Sequence, residues 1–266
     1  MNIGFWSLKE ETDYAGVMAG MGLLAGFFYP YRIVMMQGAW TLKRLDDFFQ
    51  KEEENCKIRE DYAYFYNNGM DYLLKRSRQK IFQELEITRQ LSDIWEGRIS
   101  YIPGTRRQNK ELYEHDVKQH IKTLLSDVGE YADLVFVGCG CGETKEWLFS
   151  HMDYLLVVAG QSKEELDAFF CLQEKVKERT LLLLKNYSQS SEYTVKNISR
   201  IYDFPETDIF TIPFCAAYEQ ALIGGRAAAF LKHYKEKQKY REFMTHMCRI
   251  IEGLYRKAGL LGENIR

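Results

Sequence analysis

Short apolar runs recur along the chain, and stretches with helical spacing separate them. Seven of these runs are typical of β-strands: residues 2–6, 32–36, 98–102, 133–137, 154–159, 180–185 and 208–213. Most are continuously apolar rather than alternating, which indicates strands covered on both faces of a sheet. Strands and helices in alternation, joined by right-handed crossovers, predict an α/β fold: a doubly wound, mostly parallel seven-stranded sheet with helices on both faces.

The segments between these runs have the periodicity of helices. Within residues 111–127, Val117, Ile121 and Leu124 fall on one face, whereas His115 and Lys118 fall on the other. Such a stripe is typical of a helix packed on a sheet. Further along, Ser162 precedes Glu165 by three residues, a capping box that predicts the start of another helix.

Residues 14–31 carry no charge over about the length that a membrane-spanning helix needs. Glycines at 16, 20, 22 and 26, Pro30, and the strand directly after it argue against a span. A helix buried against a sheet also needs small residues where its backbone meets the strands. We therefore predict an internal helix and no transmembrane segment.

Two parts depart from the alternation of strands and helices. Residues 41–91 are mostly helical, charged and aromatic, and predict a helical insertion between the second and third strands. Residues 227–259 predict one long C-terminal helix, whose lysines we interpret as a solvated basic face. All 266 residues are thus expected to form a single domain with one insertion.

Composition changes this picture little. The chain is 46% hydrophobic and 28% charged, which excludes a disordered protein, and its net charge is −2. No global field would recruit nucleic acid or an anionic membrane, so we do not expect DNA binding. Arg106, Arg107 and Lys110 form the best local candidate patch, and we interpret them as part of a solvated loop. No secretory leader is recognisable, and we expect a cytoplasmic protein without a disulfide framework.

A second reading is an unrelated enzyme that uses a cysteine or a histidine. Cys139 and Cys141 form a C-x-C within a glycine-rich turn, but no second Cys or His pair stands at zinc spacing. The five histidines likewise show neither metal nor triad spacing. We expect no metal site.

The turn after the first strand is where an open α/β sheet would bind a phosphate. Such a site needs glycine backbone amides, a lysine, and a hydroxyl residue for magnesium. Residues 7–15 read SLKEETDYA, with no glycine and with carboxylates at Glu10, Glu11 and Asp13 that would repel a triphosphate. Lys9 and Thr12 remain as phosphate contacts in this turn, but they cannot form the cradle alone.

The order of these motifs resembles the ParA/MinD family of deviant Walker-A ATPases, which have the P-loop NTPase fold. In that family the first strand leads into Lys-Gly-Gly-x-Gly-Lys-Thr. By this resemblance Lys9 matches the first lysine, whereas Tyr14 replaces the second. Gly38 lies where an Asp-x-Asp is expected, and Gly138 replaces the Asp that ends the Walker-B-like strand, whose start at 131–137 matches.

Later motifs match the family better. Residues 181–187 resemble the strand that ends in the adenine-reading asparagine, here Asn186. Residues 208–214 resemble the strand and loop that close over the base, here with Pro213 and Phe214. Segments 69–74 and 97–106 are similar to the branch of the family associated with tight-adherence (Flp-type) pilus assembly.

The resemblance implies the fold of an ATPase whose catalytic motifs are all degraded. We expect a catalytically degenerate scaffold or localisation factor, in pilus assembly or partition-type positioning, that acts through protein contacts as a homodimer without a cofactor. The alternative is a protein that binds ATP or ADP through a residual site of Lys9, Thr12, Asn186, Pro213 and Phe214, with little or no hydrolysis.

Overall fold

One twisted sheet organises the fold. The computed structural model describes residues 1–50, 68–78, 84–95, 97–173, 179–234 and 237–260. Eight strands within these ranges form a sheet in the order β3-β4-β2-β5-β1-β6-β7-β8, parallel except for the β3–β4 pair. The strands are β1 Asn2–Ser7, β2 Ile33–Gln37, β3 Ser92–Trp95, β4 Ile99–Tyr101, β5 Leu134–Cys141, β6 Tyr154–Ala159, β7 Thr180–Lys185 and β8 Ile209–Ile212.

The α-helices in the described part of the chain lie between these strands and after them. They are α1 Tyr14–Phe28, α2 Gly69–Arg78, α3 Glu84–Gln90, α4 Lys110–Tyr131, α5 Glu146–Phe149, α6 Lys163–Gln173, α7 Val195–Tyr202, α8 Ala216–Ile223, α9 Ala227–Tyr234 and α10 Arg241–Lys257. Short 3-10 turns occur at Glu10–Thr12, Leu45–Phe48, Glu206–Asp208 and Gln238–Tyr240.

The predicted α/β fold with helices on both faces is confirmed, and all seven predicted strands are present. The predicted number of strands was wrong, because β3 adds an eighth strand at the sheet edge, antiparallel to β4. Its sequence, SDIW, is short and half polar, and its residues alternate between half-buried and exposed. An edge strand of this kind has no continuous apolar run by which sequence could identify it.

Side chains alternate between two cores, one on each face of the sheet. Helices α1, α8, α9 and α10 cover one face, and their buried residues share a cluster with Ile3, Phe5 and Phe136. Helices α2 to α7 cover the other face around Val135 and Val137. This arrangement explains the continuously apolar strands, since both faces of β1 and β5 are buried.

Helix α1 is internal, as predicted. All of its residues from Tyr14 to Gly26 are buried, against the sheet and against α8 to α10. A Cβ at Gly22 would lie 2.5 Å from Met35 Sδ of β2, and one at Gly26 would overlap Ile99 Cγ1 of β4. These glycines therefore allow the helix to approach the strands closely. Among the described residues no helix is both long and apolar enough to cross a membrane.

The two irregular parts of the sequence differ from prediction in detail. The described parts of the insertion contain the turn at Leu45–Phe48, α2 and α3, while residues 51–67 and 79–83 of the predicted insertion lie outside the described residues. The prediction of a single C-terminal helix was wrong, because α9 ends at Tyr234 and α10 begins at Arg241. Lys237 is extended (φ −75°, ψ 122°) and interrupts the helix without a glycine or proline that could have signalled the break.

Candidate functional site

The N-terminus of α1 lies at the carboxyl edge of the sheet, directly after β1. A helix N-terminus offers unpaired N–H groups and a partial positive charge, which together favour an anion. Here Asp13 occupies that position in the left-handed conformation (φ 48°) and accepts a 3.3 Å hydrogen bond from the Gly16 N–H. The chain's own carboxylate thus caps the helix where a bound phosphate would lie.

Two lysines approach the same carboxylate. Lys43 Nζ lies 3.5 Å and Lys185 Nζ 3.8 Å from Asp13 Oδ2. Lys185, at the end of β7, also pairs with Glu219 Oε1 at 3.0 Å, and its side chain is only 9% exposed. Carboxylates of the chain therefore already neutralise the cations that could serve an external anion.

Tyr14 and Gly138 pack against each other beside this cap. A Cβ at Gly138 would lie 3.0 Å from Tyr14 Cε2 and 3.2 Å from its hydroxyl oxygen. The Tyr14 ring is 4% exposed, and burial raises the pKa of its phenol far above the usual value. The phenol ring therefore fills the space that a side chain on position 138 would need.

The loop after β2 is joined to the end of β5 through its backbone. The N–H groups of Gly38 and Ala39 both donate to the Gly138 carbonyl, at 2.9 and 3.0 Å. The buried Gln37 amide donates to the Lys43 carbonyl at 2.9 Å, so the same loop also holds Lys43 near Asp13. The structure thus brings together the two positions, Gly38 and Gly138, at which the sequence lacks an expected aspartate.

Lys9 and Thr12, the predicted phosphate contacts, lie beside the start of α6 instead. Lys9 Nζ pairs with Glu164 at 2.9 Å, and the Thr12 hydroxyl donates to Glu165 at 3.3 Å. Glu165 also accepts from the Gly160 N–H at 2.8 Å and from the Ser162 hydroxyl at 3.3 Å. The Glu165 N–H donates to the Ser162 hydroxyl oxygen at 3.3 Å, which is the serine half of the predicted capping box. Both residues therefore tie the turn after β1 to α6.

The residues predicted to hold adenine lie near one another at the end of β7 and after β8. Asn186 adopts the left-handed conformation (φ 58°), which asparagine tolerates well. Asn186 and Pro213 border an enclosed space of about 10 Å³, whereas Phe214 is 64% exposed and does not line it. Pockets for small ligands measure roughly 300–1,000 Å³, so this space is too small for a base in the conformation described.

The residues at this edge do not fit a magnesium nucleotide. The Asp13 carboxylate caps the helix N-terminus, the Tyr14 ring fills the space beside Gly138, and Lys185 is paired internally. A triphosphate would have to displace a hydrogen-bonded carboxylate and would gain no carboxylate at position 138 through which to bind magnesium.

A buried ion-pair network joins the loop after β4 to α2 and α4. Asp71, only 2% exposed, accepts from the Thr105 hydroxyl at 2.8 Å and from the Arg106 N–H at 2.9 Å. Arg107 pairs with Asp71 at 2.9 Å and with Asp116. The Met70 N–H donates to the Pro103 carbonyl at 3.0 Å, so segments 69–74 and 97–106 contact each other directly.

The interpretation of Arg106 and Arg107 as part of a solvated loop was wrong. Their side chains are only 16% and 12% exposed, because both turn inward to buried aspartates; Arg106 lies 3.5 Å from Asp46. Lys110 is 48% exposed and lies 3.8 Å from Glu143. The arginines therefore fix loops in place and present no cationic surface for a polyanion.

The environment of Cys139 does not suit a nucleophile. Cys139 is buried in β5, and burial raises the pKa of its thiol far above the usual value, which keeps it protonated.

Sequence reasoning missed Lys43, Lys185 and Glu219, and it assigned Asp13 only a repulsive role. An aspartate directly before an apolar helix is an N-cap signal, so the capping role of Asp13 could have been identified. The two lysines and Glu219 come from distant parts of the chain, and only the fold brings them together.

Solved structures with the same fold are ATPases of the ParA/MinD type. A ParA family ATPase from Chlorobium tepidum TLS superposes with a TM-score of 0.68 at 16% identity, covering 93% of this chain and 98% of that one. MinD of Pyrococcus horikoshii OT3, solved with Mg-ADP, gives a TM-score of 0.70 at 13% identity, covering 99% and 100%. The MinC:MinD complex of Aquifex aeolicus gives 0.61 at 14%, covering 100% and 98%.

These identities are low enough that the similarity shows the fold alone. No protein-family model matches the chain, and no curated protein sequence matches it significantly. The chain thus shares the P-loop NTPase fold of the ParA and MinD ATPases.

Proposed function

We propose that this protein is a catalytically degenerate scaffold or localisation factor with the fold of a ParA/MinD ATPase. The observation that supports the proposal is that side chains occupy the N-terminus of α1, the expected phosphate position: Asp13 caps the helix, and Tyr14 packs against Gly138. Phosphoryl transfer depends on positioning the phosphate and on stabilising its charge with lysine and magnesium. A chain that fills this space with its own side chains supplies neither effect.

Protein contacts then remain as the means of action. One protein of this fold, MinD of Aquifex aeolicus, was solved in complex with MinC, and others are described as plasmid partition proteins. We extend this mode of action to the present chain, as a factor that positions a partner in pilus assembly or in a partition-type process. Pilus-assembly genes beside its gene would favour the first setting, and partition-site genes would favour the second.

We also propose that the protein is a homodimer. Two large apolar side chains at the carboxyl edge of the sheet support this: Leu42 is 72% exposed and Phe214 is 64% exposed. Burial of these two side chains between two copies of the chain would favour association. Leu42→Glu should shift the dimer to the monomer in sedimentation velocity. Lys43→Glu, at the next position, removes no apolar area and should leave the dimer in place. A wild-type monomer at all concentrations would contradict this part of the proposal.

The alternative, an adenine nucleotide bound without turnover, has one observation in its favour. Phe214 lies exposed directly after Pro213 and near Asn186, where it could cover a base if the loop moved. That arrangement would have to open a space that is now almost closed.

Thermal unfolding with ATP, ADP and magnesium distinguishes the two functions. A ligand that binds only the folded state stabilises it by mass action and so raises Tm. At a free ligand concentration one hundred times Kd, the free energy of unfolding rises by about 2.7 kcal/mol. The scaffold proposal predicts that millimolar nucleotide leaves Tm unchanged. An active ATPase of this fold, whose Tm nucleotide should raise, serves as the positive control. A saturable rise in Tm would support the alternative.

A further inference from the structure

A groove between α8 and α9 lies apart from the filled phosphate position. Its volume is about 700 Å³, and it is open to solvent. Ala217 and Ala221 line it from α8, Phe230 of α9 is buried and forms its floor, and Tyr240 also lines it. The groove is therefore large enough for side chains of another molecule, and its floor is apolar.

Other residues that line the groove are basic. Arg226, His233 and Lys237 line the groove, and all three are exposed. Arg226 directly precedes α9, and His233 lies seven residues later in its last turn. The surrounding segment strengthens this charge, since residues 226–241 contain six Lys and Arg against one acidic residue. This concentration is hidden in a chain whose net charge is −2.

An exposed apolar residue lies on the rim. Ile223 ends α8 and is 82% exposed, three residues after Gln220, which lines the groove. Residues at this spacing share a helix face. Basic lining residues, an apolar floor and an apolar rim suit a ligand that carries both acidic and apolar side chains. A DNA backbone would satisfy only the cations, because phosphates offer nothing to Ile223 or to the floor.

We propose that the α8–α9 groove binds an acidic, amphipathic peptide segment of a partner protein, with apolar side chains on Phe230 and acidic side chains on Arg226 and Lys237. Helix-in-groove recognition of this kind places apolar anchors at i, i+3, i+4 and i+7. This inference rests on the proposed function, because it gives the chemistry of the partner that a scaffold would bind.

The test uses the full-length protein and a labelled peptide of about 16 residues, composed of glutamate with leucines at the anchor spacing. Fluorescence anisotropy should show saturable binding that weakens with salt. Lys237→Glu should weaken it about tenfold or more, whereas Lys232→Glu should change it less than about twofold. Lys232 is the matched control because it carries the same charge on α9 but lies over Trp95, outside the groove. Ala229→Trp, which fills the groove without changing charge, should also abolish binding.

Three results would overturn the proposal. They are no binding of the acidic peptide, equal weakening by Lys232→Glu and Lys237→Glu, or equal binding of a DNA duplex of similar length. Peptide titrations are made without nucleotide, so they are independent of the ATPase question. Hydrolysis of ATP with intact peptide binding would contradict the proposed function alone, and loss of peptide binding without hydrolysis would contradict the groove alone.

Discussion

The phenol of Tyr14 occupies the space that the missing side chain of Gly138 leaves open. A Cβ at position 138 would lie 3.0 Å from the ring of Tyr14, which is 4% exposed. By resemblance to the ParA/MinD family, these two positions correspond to the phosphate-binding lysine and the Walker-B-like aspartate. The two replacements are therefore complementary in shape, and they pack as part of the core.

Restoring an aspartate at position 138 should destabilise the protein. Gly138→Asp introduces both a steric conflict with Tyr14 and a buried, unpaired carboxylate, and we expect a loss of about 3 kcal/mol or more in the free energy of unfolding. Gly138→Ala should cost about 1–3 kcal/mol through overpacking alone. In urea unfolding, Tyr14→Ala should relieve part of either loss. Strictly additive effects in this double-mutant cycle would mean that the two residues do not interact.

Removing the carboxylate of Asp13 should expose an anion site. Asp13→Ala removes the helix cap, at a cost of about 1 kcal/mol in the free energy of unfolding. The alanine must also adopt the left-handed conformation, which costs about 1–2 kcal/mol more. Asp13→Asn keeps the capping oxygen and should cost less.

Sulfate should then raise the Tm of Asp13→Ala more than that of wild type, because the helix N-terminus, Lys43 and Lys185 become accessible to it. Equal sulfate effects on both proteins would show that the carboxylate does not occupy an anion position.

Arg107 should matter for stability and not for nucleic-acid binding. Arg107→Ala removes a cation that pairs with Asp71 and Asp116, both 2% exposed or less. Breaking such a buried pair typically costs about 3–5 kcal/mol. Lys110→Ala, at an exposed position in the same segment, should cost less than about 0.5 kcal/mol. Comparable urea midpoints for the two variants would contradict the network.

Asp46 should make stability depend on pH. Burial raises the pKa of its carboxyl above the usual value of 3.8, against the opposing effects of Arg44, the Gly104 N–H and Arg106. Its folded state therefore binds a proton more readily than its unfolded state. The resulting stability is fully present below the unfolded pKa and is lost as pH rises through the folded pKa.

Relative to Asp46→Asn, wild type should therefore gain stability as pH falls from neutral towards 4. Measurement of the free energy of unfolding of both proteins across that range checks the sign. A difference that shrinks on acidification would indicate a lowered pKa instead.

The sequence was sufficient for most of the fold because its strands are buried on both faces. Continuous apolar runs identified β1, β2 and β4 to β8, and the glycines of α1 pointed to close contact with strands. Edge strand β3 and the break at Lys237 were missed. Neither carries a local signal, since one is stabilised by pairing with β4 and the other by the tertiary packing of α9 and α10.

For the candidate site, the sequence predicted only losses. By resemblance it lacks the glycines, the lysine and the aspartate of a phosphate site, but it did not predict what the residues at those positions contact. Asp13 caps α1 through the nearby Gly16 N–H, but only the fold brings Lys43 and Lys185 to its carboxylate, and Arg107 reaches Asp71 across 36 positions. Long-range charge pairing of this kind depends on strand order, which spacing along the chain does not reveal.

The most direct test of the filled phosphate position is equilibrium dialysis of the wild-type protein against radiolabelled ATP with magnesium. Asp13 and Tyr14 occupy the expected site, and Gly138 supplies no carboxylate. We therefore predict equal ATP concentrations on both sides of the dialysis membrane up to about millimolar ATP. A Kd in that range corresponds to a binding free energy of only about 4 kcal/mol. Saturable retention of ATP by the protein, near one molecule per chain, would contradict this account.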